Sequence, residues 1–126
     1  MGIPTLIKTL TAADDASLEF VDGTDDVVLD STYDEYMFVC TDIGPATDGA
    51  VFQFQVNATD DPGGGYDTSL ITSTFFRAAH YENDSSAGLS YGTGQDLAQS
   101  ASFQPLVEET GNGADESCAG ILHLFN

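Results

Sequence analysis

The string in this chain closest to a catalytic motif is Gly88-Leu89-Ser90-Tyr91-Gly92, a Gly-x-Ser-x-Gly pattern followed by Asp115 and then His123. A serine held between two glycines on a strained turn exposes its hydroxyl, and an acid and an imidazole further along would supply the orienting group and the base. That chemistry needs a strand before the serine and a helix after it. Residues 83–87 and Thr93-Gly94 read instead as polar loop, and a chain with 13 glycines generates such strings without catalysis. Ser90 is therefore expected to be a loop serine, and the chain to carry no catalytic residue and to be no enzyme.

The remaining reactive side chains are scattered. His80 and His123 are single imidazoles in apolar, strand-like segments, a setting that suits a core or subunit-contact histidine better than a metal ligand. Acidic loops hold Asp22, Asp25 and Asp26, then Asp60, Asp61 and Asp67, then Asp115 and Glu116. Flexible loops of carboxylates suit a hard cation, which makes the first six of these aspartates candidate Ca²⁺ ligands, although none has EF-hand spacing and aspartate is also an ordinary turn former. No other cofactor is implied. Cys40 and Cys118 lie far apart in apolar surroundings with no metal or redox spacing, so free buried thiols are expected rather than a disulfide. Asn57-Ala58-Thr59 and Asn83-Asp84-Ser85 are formal glycosylation sequons, read here as loop asparagines.

Charge excludes more than the motifs include. Lys8 and Arg77 face 21 Asp and Glu, for a formal charge of −19. Two basic side chains cannot line a groove for a run of phosphates or hold an anionic membrane surface, which removes nucleic acid and membrane insertion from the partners. Self-repulsion at this density makes the fold depend on salt, cations or a partner, unless the acidic surface serves solubility alone. The chain still has the means to fold: 41% of its residues are apolar, with eight Phe and five Tyr. No basic-then-apolar leader follows Met1 and no apolar run approaches a membrane span, so a soluble chain made in a cytoplasm is expected.

The elements that must position these groups read as strands. The organising stretch is residues 27–58, VVLDSTYDEYMFVCTDIGPATDGAVFQFQVNA, where Tyr36, Phe38 and Cys40 alternate with Met37, Val39 and Thr41, and Val51 to Val56 alternate again. Gly44-Pro45 and Asp48-Gly49 between them predict a reversal and an antiparallel pair. Further strands are expected at residues 5–10, 16–21, 27–29, 70–81, 103–107 with Pro105 marking an edge, and 117–125. A single short helical turn is expected within 95–99, and turns at 22–26, 60–65 and 111–115. Short strands between Gly, Asp, Asn and Pro turns predict an all-β protein, a single antiparallel β-sandwich domain of jelly-roll type spanning residues 1–126, with little or no helix.

The strings themselves resemble a known family. TLIKTLTA, the 27–58 block, LITSTFFRAAHYEND, GTGQDLAQS and GNGADESCAGILHLFN, together covering nearly all of residues 3–125, are similar to small virion-associated structural proteins of marine tailed bacteriophages. The resemblance implies a tail-fibre or receptor-binding appendage component, located in the virion after synthesis in the host cytoplasm. A capsid-surface decoration protein is the alternative, and a small hydrolase acting on host surface polymers a remote one. Implied partners are other copies, as a homo-oligomer and by preference a trimer, neighbouring virion proteins, and a host surface glycan or protein. Members of this family usually continue past LHLFN into further strands, so the chain is expected to be a short form or the N-terminal part of a longer protein. No site residue follows from the resemblance.

Overall fold

The computed structural model describes residues 3–58, 66 and 70–126. They form six strands and no helix: β1 Glu35–Ile43, β2 Ala50–Phe54, β3 Phe76–His80, β4 Ala87–Tyr91, β5 Gln104–Thr110 and β6 Cys118–Phe125. The protein is all-β, as its turn chemistry and alternation lead one to expect. The strands pair antiparallel in three two-stranded sheets, β1 with β6, β2 with β5 and β3 with β4. Two compact units result, one built from Met1–Ala46 and Asn112–Asn126, the other from Thr47–Gly111.

In the first unit β1 and β6 run side by side with Tyr36 opposite Leu124, Phe38 opposite Leu122 and Cys40 opposite Gly120. Residues directly opposite one another share a face, so Tyr36, Phe38, Cys40, Leu122 and Leu124 line one side of the ribbon. A two-stranded ribbon alone is marginal in water, and here the preceding chain covers that side. Phe20 packs edge-on against Phe38 at 5.3 Å and Tyr33 against Tyr36 at 5.8 Å. Tyr36 donates its hydroxyl proton to the Asp30 carbonyl at 2.6 Å, and Asn126 donates its side-chain amide to the same oxygen at 3.2 Å. Val27, 5% exposed, and Tyr36, 9% exposed, are the buried apolar residues among those described, and none of the described side chains is wholly enclosed.

The second unit is tied by a polar node. Gln104, only 7% exposed, opens β5. Its amide donates to the carbonyls of Gln95 at 3.1 Å and Pro105 at 2.9 Å. Its oxygen accepts from the Ser73 hydroxyl, which in turn accepts from the Leu97 amide at 2.9 Å. Strands β3 and β4 form a hairpin with Phe76 opposite Tyr91 and His80 opposite Ala87. Its turn is closed by Tyr81 N–H to Ser86 C=O at 2.9 Å and by the Asn83 side chain accepting from the Ser85 amide at 3.0 Å.

Several expectations are corrected. Strands β1 and β2 both exist but do not pair with each other. β6 matches β1 with apolar residues on both faces, whereas β2 would set Gln53 against it. The connection through Gly44 to Gly49 is also longer than a tight hairpin loop. Residues 5–10, 16–21 and 27–29 alternate like strands yet form none, because no strand among the described residues pairs with them; residues 21–27 close on themselves instead, through Thr24 N–H to Val21 C=O and Val27 N–H to Thr24 C=O, both 3.0 Å. The helical turn expected within 95–99 is a hydrogen-bonded turn from Gly92, whose carbonyl accepts from the amides of Gln95 and Asp96. Of the 70–81 segment only Phe76–His80 is strand, with an isolated bridge between Ile71 and Ser100 upstream. The strands expected at 103–107 and 117–125 are present as β5 and β6, and the glycine loop expected at 60–65 lies outside the described residues.

Candidate functional site

The serine motif lacks the local backbone its chemistry requires. Ser90 lies inside strand β4, opposite Arg77, and not in the loop expected for it. Its backbone is not among those with positive φ, so the strained elbow that activates such serines is missing. Gly92, the last residue of the motif, has a packing reason to be glycine: a Cβ there would stand 2.7 Å from Phe75 Cδ1, and its amide donates to the Phe75 carbonyl at 2.8 Å. Ser90 belongs to the second unit, while Asp115 and His123 belong to the first. His123 is hydrogen-bonded through Nδ1 to the Glu35 carboxylate, and His80 Nε2 lies 3.3 Å from Asp84.

Of the aspartates expected to gather a cation, Asp22 and Asp25 have other partners. Asp22 accepts from the Leu29 amide at 2.9 Å, and Asp25 faces Lys8 Nζ at 3.8 Å. Asp25 and Asp26 both take left-handed φ values, 50° and 66°, the conformation that turns demand and that aspartate tolerates. Among the described residues no three of His, Cys, Asp and Glu converge on one point. Asp60, Asp61 and Asp67 lie outside the described residues, as does Thr59 of the first sequon.

Cys40 and Cys118 are free thiols, both half-buried, on neighbouring strands. Burial, and secondarily the charge that Cys118 would carry, push the Cys40 thiol above its ordinary pKa. Its folded preference for the neutral form leaves stability intact below the ordinary thiol pKa and erodes it as pH rises through that value towards the raised one. At pH 8, iodoacetamide should modify Cys40 more slowly in the folded chain than in urea, read by peptide mass spectrometry. Equal rates in the two states would show that the ribbon does not shield it.

The folded chain also offers apolar surface. On the side of the β1–β6 ribbon opposite Tyr36 and Phe38, Met37, Val39, Ile121 and Phe125 stand 47%, 57%, 60% and 76% exposed. His123 and Glu35 sit among them, paired with each other. Sequence reasoning missed this face because both sides of each strand are apolar, so alternation cannot say which side stays wet. Among its described residues the second unit has open depressions. One of about 280 Å³ is lined by Phe75, Phe76, Ala78, Leu106 and Val107, with Arg77 and Glu108 paired at 3.8 Å on its wall. Neither it nor the depression at Tyr81, Glu82 and Asn83 is walled as small-molecule sites are. Comparison with known proteins adds no relative: no family model, characterised protein or solved structure matches the chain.

Proposed function

We propose that this chain is a non-catalytic structural component of a bacteriophage virion, most specifically of a tail fibre or receptor-binding appendage, assembled with copies of itself. The observation that carries the reading is the exposed apolar face of the β1–β6 ribbon, in a fold whose sheets, among the described residues, are each two strands wide. Single exposed apolar residues are ordinary on a soluble protein, but a contiguous patch marks a contact surface. Strands paired two by two gain most when another chain adds to them. The resemblance of residues 3–125 to small virion-associated proteins of marine tailed phages supports the location. Completion of a jelly-roll-like sandwich, contact with a host surface glycan or protein, and salt or Ca²⁺ screening of the −19 charge belong to the same proposal.

Location tests it. Antibodies raised against the purified chain should label the tail appendages of intact virions in electron micrographs and block adsorption to the host. Label confined to the capsid would make it a decoration protein, and label found in infected-cell lysate but absent from purified particles would overturn the virion reading.

A further inference from the structure

We propose that a second copy of this chain adds to the free edge of β6, strand against strand and antiparallel, so that two β1–β6 ribbons join into one four-stranded sheet with the two β6 strands at its centre. The inference rests on the self-assembling reading above and names the surface it uses. Among the described residues β6 pairs with β1 alone, which leaves its other edge without a ladder partner. An eight-residue edge of sequence CAGILHLF, with no proline and no Asp, Glu, Lys or Arg, lacks the devices by which edges avoid pairing.

The other strands carry such devices or are short. β1 is broken by a bulge between Cys40 and Ile43, with Asp42 at φ 53°, and begins on Glu35. β5 contains Pro105, Glu108 and Glu109. β3 contains Arg77, and β2 and β4 are five residues each, with the register of β2 shifted twice.

Charge selects the occupant. A basic partner would be drawn to the aspartate loops and not to a neutral strand. A second copy, itself at −19, is repelled wherever carboxylates face it, and β6 is where they are absent. Glu35, the nearest carboxylate on the exposed face, is already hydrogen-bonded to His123. β6 is also self-complementary: run antiparallel to itself it matches in length, and a register centred on a residue keeps Ile121 and Phe125 of both copies on one face. Such a contact is two-fold and isologous, and the sheet then ends on two β1 edges that the bulge protects, so it closes at two copies and is not the threefold contact the resemblance implies. A strand pair covers less than the roughly 800 Å² per partner of a standard interface, so the dimer should dissociate on dilution.

Light scattering in ~0.15 M salt, where the screening length is about 8 Å, decides it. The wild-type chain should show twice its 13.3 kDa mass at high concentration. Ile121→Lys, at a position 60% exposed in the single copy, should weaken the dimer about tenfold or more through like charges facing across the pair. Val51→Lys, of identical net charge and at a position 44% exposed on β2, should leave it unchanged. Should Ile121→Lys fail to give a wild-type circular dichroism spectrum, hydrogen exchange of the unmodified chain decides instead: protection in β6 must rise with protein concentration while that in β5 does not. A monomer at every concentration, a trimer, or equal effects of the two lysines would overturn the β6 contact. None of these results bears on whether the chain is found in virions, which the antibody experiment reads separately.

Discussion

Tyr36→Ala should cost the first unit about 3–5 kcal/mol, the range for deleting a large buried aromatic side chain. Tyr36 is 9% exposed at the centre of the covered side of the β1–β6 ribbon, where Tyr33 meets it edge-on at 5.8 Å. Little else there could close over the gap, since Val27 is the other buried apolar residue among those described. The hydroxyl adds a separate increment through its 2.6 Å bond to the Asp30 carbonyl. Tyr36→Phe should therefore cost only about 1 kcal/mol, the net worth of one hydrogen bond. Against a typical domain stability of about 5–15 kcal/mol, the alanine variant should lose a large share of the unit's stability, with β1 and β6 amides losing exchange protection. A urea midpoint for Tyr36→Ala no lower than that of Tyr36→Phe would show that the ring is not what holds the ribbon to its cover.

Gln104→Leu should destabilise the second unit by about 2–4 kcal/mol, for the opposite reason: it adds apolar volume and removes partners. The Gln95 carbonyl and the Ser73 hydroxyl both rely on this side chain, and a buried polar group left unpaired costs about 1–3 kcal/mol. Because Ser73 also accepts from the Leu97 amide at 2.9 Å, its removal damages the same node. Ser73→Ala and Gln104→Leu should then be strongly non-additive, with an interaction free energy of about 0.5–3 kcal/mol in a double-mutant cycle. Strict additivity would mean that the two side chains act independently and that the node is only a set of neighbours.

These two sites differ in how far they could be read from the chain. Tyr36 falls at an alternating position of the segment expected to organise the fold, which groups it with Phe38 and Cys40 on one side; that this side is the covered one comes from the packing of Phe20 and Tyr33. Gln104 carries no such mark, since a glutamine beside Pro105 at a strand start is normally wet; only the convergence of residues 73 and 95 upon it, with Leu97 held to Ser73, makes it internal. Strand identity was legible for β1, β2, β5 and β6, where apolar residues alternate or run together between turns. β4 was not, because Ala87-Gly88-Leu89-Ser90-Tyr91 has no apolar period and looks like the loops around it. Partner choice was the largest misreading. Gly-Pro and Asp-Gly signals describe only where a chain can reverse, while pairing is decided by which distant strand offers the better set of opposing side chains.

That choice of partner orders events during synthesis. Some 75 positions separate the end of β1 at Ile43 from the start of β6 at Cys118, and at about 5–20 residues per second a ribosome takes roughly 4–15 s to make them. Throughout that interval Tyr36 and Phe38 have no strand to face, while all four strands of the second unit are complete before the first residue of β6 is added. Contacts this distant along the chain carry a loop-closure cost that slows their formation. The first unit is accordingly the last to form, and a chain halted anywhere before Cys118 displays β1 as an unpaired apolar strand for chaperones or for neighbouring nascent chains to capture.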